Sequence, residues 1–156
     1  EIKDIVKNWI MKDLSVVDPD FGFAPCPYAK KAFIDNKLLV IDCLDREDLW
    51  RTIARQSRDF NDKYSVIICA EAEPSQKYEE VEAACVAMNE WFALNGMDVW
   101  LLAFQTNFTM VFIQRLSELD DASKILEKTG YYENYTKEDY LNLILTRRRR
   151  REDARC

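Results

Sequence analysis

The chain of 156 residues is 48% hydrophobic and 32% charged, carries a net charge of -6 and contains no histidine. A chain of this length buries roughly 70% of its unfolded surface, so 1–156 is expected to fold as one domain without disulfides or metal. The missing imidazole excludes Ser-His-Asp and Cys-His catalysis and the histidine-containing zinc and iron centres. The acidic balance disfavours nucleic acid as a partner, because phosphate contacts need a basic surface.

The five cysteines, Cys26, Cys43, Cys69, Cys85 and Cys156, are scattered and form no CxxC pair. That is the pattern of a cytoplasmic protein rather than of a secreted disulfide framework. Cys43 and Cys69 lie in apolar runs and Cys85 in a helical pattern, where a free thiol behaves as a small buried hydrophobe. The longest apolar runs fall well short of the ~20 residues that span a bilayer, so no membrane association is expected. The start at Glu1 shows no basic segment ahead of an apolar core, so no signal peptide is expected either. It also lacks an initiating methionine, so Glu1 is not expected to be the natural first residue.

In chain order, Ile2, Ile5, Val6, Trp9 and Ile10 recur at helical spacing and predict a first helix ending near Leu14. Asp18-Pro19-Asp20-Phe21-Gly22 reads as a turn. Pro25-Cys26-Pro27 opens a short helix over Tyr28 to Phe33, since proline suits the first helical position. Leu38-Leu39-Val40-Ile41 predicts a strand buried on both faces, within Lys37 to Cys43. A helix beginning at Asp45 to Asp48 turns Leu49, Trp50, Ile53 and Phe60 inward. Tyr64 to Ala70 is the second strand.

Pro74-Ser75 is expected to begin the longest helix, with a buried stripe of Tyr78, Val81, Cys85, Met88 and Phe92 and an end at Asn95-Gly96. Val99 to Phe104 is apolar throughout and predicts a central third strand. Met110 to Ile113 is the fourth, joined to it by a hairpin. Ser117 with Asp120 has the spacing of a capping box for a helix carrying Ile125 and Leu126 and ending at Gly130. Thr136 with Asp139 has the same spacing ahead of a last helix carrying Tyr140, Leu141, Ile144 and Leu145.

The expected fold class is therefore α/β. A mixed four-stranded sheet with a β-α-β-α-β-β core is flanked by helices in a single layered domain. It ends in a basic helix end at about 146–156. Three glycines leave no room for a Gly-rich phosphate loop, and no cofactor or metal is expected.

The candidate chemistry centres on Cys26. At the N-terminus of a short helix its thiolate would be stabilised by the helix dipole and by Lys30 one turn on, which makes Cys26 and Lys30 the candidate catalytic pair. Against this stands a plain structural role, with Cys26 fixing a proline-rich bend. Tyr28 and Lys31, with Asp42 and Asp45 in the loop after the first strand, are candidate ligand-binding residues, because loops after parallel strands often form sites. Asp45, Glu47 and Asp48 read equally as caps of the following helix. Arg147, Arg148, Arg149, Arg150 and Arg151 are candidates for a phosphate, RNA or acidic-partner contact. The same run also reads as a solvated helix end, or as arginines paired with the acidic body. Trp9, Trp50, Trp91 and Trp100 read as core or interface anchors, and exposure of Trp91 or Trp100 would mark an oligomer or partner surface.

Cys26-Pro27-Tyr28 resembles the start of the Cys-Pro-Tyr-Cys motif of glutaredoxins, and the element order from Lys37 onward resembles the thioredoxin-type order. The second cysteine is replaced by Ala29, so the resemblance implies a monothiol centre at most. The motif also precedes the first strand instead of following it, and Asn95-Gly96-Met97-Asp98 lacks the proline expected before the third strand. Cys26-Pro27-Tyr28-Ala29-Lys30, after an N-terminal helix, also resembles an uncharacterised bacterial family that carries Cys-Pro-Phe-Ala-Lys at that place. The resemblance covers about the first two thirds of the chain and implies a related fold without an activity. The chain is similar as well to uncharacterised proteins of marine viruses and environmental bacteria.

Two functions follow as expectations. The first is a non-enzymatic cytoplasmic binding or interaction domain, for which a homodimer is one expected form. The alternative is a small thiol-dependent enzyme or redox protein using Cys26.

Overall fold

The computed structural model describes residues 1–14, 27–133 and 135–155. Four strands, β1 (Leu38–Cys43), β2 (Val66–Glu71), β3 (Trp100–Gln105) and β4 (Thr109–Gln114), form one sheet in the order β1-β2-β4-β3. β1 and β2 run parallel, joined through helix α3 (Arg46–Arg58). β4 is antiparallel to both of its neighbours. The mixed sheet and its flanking helices agree with the expected α/β class.

The period-two alternation of a strand divides the apolar residues between two faces. Leu38 and Val40, Val66, Ile68 and Ala70, and Met110 and Phe112 point to one face. There they pack under Ile2, Val6 and Ile10 of α1 (Ile2–Trp9) and its π-helical continuation Ile10–Leu14, and under Ala29 and Ala32 of α2 (Pro27–Ile34). Ile67 and Cys69, Val111 and Ile113, and Leu101 point to the other. There they meet Leu49 and Ile53 of α3 and Val81, Cys85 and Phe92 of α4 (Tyr78–Leu94). All six residues of β2 and all six of β4 are buried, because both faces are covered and both edges are paired. The thiols of Cys43, Cys69 and Cys85 are free and buried, as their apolar contexts predict.

β3 is not central. The hairpin folds β4 back between β2 and β3, which leaves β3 on the edge with Leu101 as its one fully buried residue. Its apolar composition comes from cover on both faces, and face cover carries no information about edge pairing. The Ser117–Asp120 capping box is absent. Helix α5 (Leu116–Lys128) starts at Leu116, and Ser117 gives its N–H and its hydroxyl to Asp98 in the loop before β3. α4 begins at Tyr78 rather than at Pro74, because Ser75 is held back by the buried Glu71 carboxylate at the end of β2. Ile5 and Ile125, expected inward, are 49% and 65% exposed. Gly96 and Gly130 stop their helices with φ of 66° and 77°, a conformation that β-carbons disfavour.

Phe112 is fully buried, and its ring lies 4.8 Å from Phe104 and 6.3 Å from Trp9, ring centre to ring centre. Phe112→Ala removes this aromatic contact between helix and sheet and should cost about 3–5 kcal/mol. Urea unfolding should show this as a lower midpoint at unchanged slope.

Candidate functional site

The open side of β3 shows how the molecule treats an edge. In an antiparallel ladder, alternate residues turn both main-chain groups toward the partner strand. The N–H of Thr106 donates to the Phe108 carbonyl at 3.0 Å, so the even-numbered residues face β4. Leu101, Ala103 and Gln105 therefore turn their N–H and C=O outward. At Leu101 the amide side chain of Asn89, on α4, takes up both groups. Its Nδ2 donates to the Leu101 carbonyl at 3.0 Å, and its Oδ1 accepts from the Leu101 N–H at 2.8 Å. One buried side chain thus stands where a residue of a fifth strand would be. Ala103 presents the same two groups two residues further on, and among the described residues nothing bonds to them.

A cleft of about 780 Å³ runs beside this edge. Trp100, Leu101, Leu102, Ala103 and Phe104 all line it. Consecutive strand residues point to opposite faces, so five in a row line one cavity only when it follows the edge itself. Tyr78, Glu82 and Val86 of α4 form one wall. The other comes from α5 and from the turn carrying Tyr131, Tyr132 and Tyr135, whose rings stack edge-on at 5.0–5.1 Å from the Tyr132 ring centre or are tilted against one another. Burial pushes the Tyr132 hydroxyl up to about 12. Burial, then the Glu82 hydrogen bond, does the same for Tyr78. Both phenols stay protonated at neutral pH, and the Tyr78 hydroxyl donates to Glu82. Among the described residues, the buried Trp100 indole N–H has no acceptor, and Gln114, opposite Trp100 in the register, is fully buried with neither amide atom bonded.

The C-terminal end roofs the cleft. Helix α6 (Lys137–Tyr140) leads through a π-helical turn, Leu141–Leu145, into α7 (Thr146–Arg155), which touches both α5 and α4. Charge holds it there. Asp120 of α5 is only 2% exposed and meets Arg151 at 2.8 Å, Lys124 at 3.2 Å and Arg148 at 3.5 Å. Arg148 also pairs with Glu127 at 2.9 Å, Arg151 with Asp121 at 2.6 Å, and Arg150 with Glu90 of α4 at 2.9 Å. Burial alone would raise the Asp120 carboxyl, but the Arg151 and Lys124 hydrogen bonds outweigh it and hold the group below its ordinary value.

The predicted site residues fall in different places. Cys26 lies outside the described residues. α2 is described from Pro27, and Lys30 and Lys31 are exposed on it. Tyr28 alone of that group reaches the cleft, and its hydroxyl donates to Glu118 at 2.8 Å. Asp42 is exposed at the far end of β1, and Asp45 caps α3 by accepting the Asp48 N–H at 2.8 Å. Among the arginines, Arg147 and Arg150 line the cleft, Arg148 and Arg151 are paired to α5, and Arg149 is exposed. Trp91 is 55% exposed.

Sequence reasoning missed Asn89, Asp120 and the tyrosine turn. Asn89 had a readable signal: it lies between Cys85 and Phe92 on an apolar stripe, where a polar side chain demands a buried partner. Among the described residues no group of three or more Cys, Asp or Glu side chains is placed to hold a metal ion, and no helix is long and apolar enough to cross a membrane. The neighbouring Cys43 thiol, followed by burial, pushes Cys69 up, and burial pushes Cys85 up to about 12, so these two thiols favour the inert protonated form.

No protein-family model, no curated protein and no solved structure matches this chain.

Two predictions follow from this geometry. Asn89→Ala strips two buried main-chain groups of their partners and should cost about 2–4 kcal/mol, read from the urea midpoint. Asp120 has a lowered folded-state pKa, so its contribution is complete above the ordinary carboxylate range and disappears as pH falls through the folded value. Asp120→Asn should flatten that acid limb in a pH series of thermal unfolding. It should also cost about 2 kcal/mol at neutral pH, below the 3–5 of a fully buried pair because the arginines partly face water.

Proposed function

We propose that this protein is a non-enzymatic cytoplasmic binding domain that takes its ligand or partner in the cleft beside β3. The observation that carries this reading is the cleft itself. It is concave, walled by aromatic rings and furnished with a few placed polar groups, which is the common composition of a recognition pocket. Among its charged groups, Arg150 pairs with Glu90 and Glu82 accepts from the Tyr78 hydroxyl, and both serve as architecture rather than as a reactive couple. The buried free thiols Cys43, Cys69 and Cys85 support a reducing compartment. The exposed Trp91 and Leu94 at the end of α4 are the surface through which a homodimer would form.

Titration with small aromatic probes (phenol, indole and N-acetyltyrosine amide) tests the cleft. In ¹H–¹⁵N spectra the Trp100 indole and the amides of Leu102, Ala103 and Tyr132 should shift together and saturate. Val86→Trp fills the cleft from an exposed position and should abolish the shifts while leaving the urea midpoint unchanged. Shifts confined to Trp91, or none at all, would overturn the assignment.

A further inference from the structure

We infer that the occupant of the cleft is an uncharged, extended peptide segment of a partner, added as a fifth strand to the open edge of β3. This rests on the cleft being the binding site and names what it binds.

Three observations converge on a strand. Ala103 offers an N–H and a C=O side by side, outward and unbonded among the described residues, which is the pairing unit of a β-ladder. Asn89 shows at Leu101 what such an edge accepts, because it satisfies the neighbouring outward pair with an amide donor and an amide acceptor. A peptide bond carries the same two groups. The cleft also follows the line of the strand, running past Ala103 from the slot that Asn89 fills at Leu101. A compact ligand would need a pocket across the strand rather than along it.

The walls define the side chains. An added strand places alternate residues on the two sides of the sheet. One set would meet Trp100, Leu102, Phe104 and the tyrosine turn, so apolar or aromatic residues fit there. The other would meet α4 around Tyr78 and Val86. The charged residues lining the cleft are Glu82 and Glu90 with Arg147 and Arg150, two of each sign. A lining of zero net charge matches an uncharged segment, since an unmatched charge would lose its water for nothing in return. A second copy of the chain fits less well. It would bring its own α4 and α7 to the edge together with its β3, whereas a lone extended segment brings no flanking helices.

The experiment selects binders from a phage-displayed library of random heptapeptides on the folded full chain, with Val86→Trp used to discard peptides that bind elsewhere. The best synthetic peptide is then N-methylated one residue at a time. Strand addition predicts that methylation at alternate residues weakens binding at least tenfold and at intervening residues less than threefold. It also predicts that the Ala103 amide exchanges its hydrogen at least tenfold more slowly in the complex. Selected sequences should alternate apolar residues and carry no charge within the protected segment. The inference is overturned if no peptide is lost on Val86→Trp, if methylation shows no alternation, or if charged segments prevail. It is overturned equally if Ala103 exchange slows with protein concentration alone as the mass doubles, because a second copy is then the occupant. Saturating shifts from the small aromatic probes, with no such peptide, would leave the cleft as the binding site and remove only the strand.

Discussion

A sheet that does not close must do something with the main-chain groups of its outermost strands, because buried amides without partners are expensive. In this protein the constraint is sharpest at β3. The strand is too apolar to face water, so its sides are covered, and that cover leaves the edge half-buried. A bare buried edge would leave several donors and acceptors stranded. Asn89 resolves part of the problem with a single side chain, and the aromatic cleft is the space that remains over the unresolved part. The position of α4, the burial of Asn89 and the existence of the cleft are three consequences of one hairpin placing β4 inside and β3 outside.

The chemistry of the cleft fits this origin. Tyr78 and Tyr132 keep their protons far above neutral pH, Arg150 and Glu90 are committed to each other, and Glu82 accepts from Tyr78. What remains available is shape, aromatic surface and a few hydrogen-bonding groups of fixed direction. Such an inventory discriminates among partners by outline and by main-chain geometry rather than by charge.

Much of the fold was legible because it rests on periodicity. The strands and most of the helices followed from the spacing of apolar residues, and Gly96 and Gly130 stand at the helix ends where their backbone preferences place them. Strand order was not legible. Leu101 to Phe104 reads the same whether it is paired on one side or two, since side chains report faces and the pairing is made by the main chain. Ser117 failed as a cap because Asp98, nineteen residues earlier, competes for its N–H; local spacing cannot register so distant a rival. The arginines of 147–151 were visible as a run, but their partners on α5 and α4 became neighbours only through the tertiary fold. The cleft had no signature of its own, because it is assembled from segments that are individually ordinary.

The attachment of α7 differs in kind from the cohesion of the sheet. The helix carries Thr146-Arg147-Arg148-Arg149-Arg150-Arg151 and contributes almost no apolar surface of its own. It is moored by ion pairs, most of them reaching partly into water, and such pairs weaken as dissolved ions screen them. The sandwiched sheet, closed by hydrocarbon contact, is indifferent to this influence. The molecule therefore has two separable tiers of rigidity. The seating of the C-terminal helix answers to dissolved electrolyte, and the body beneath it does not.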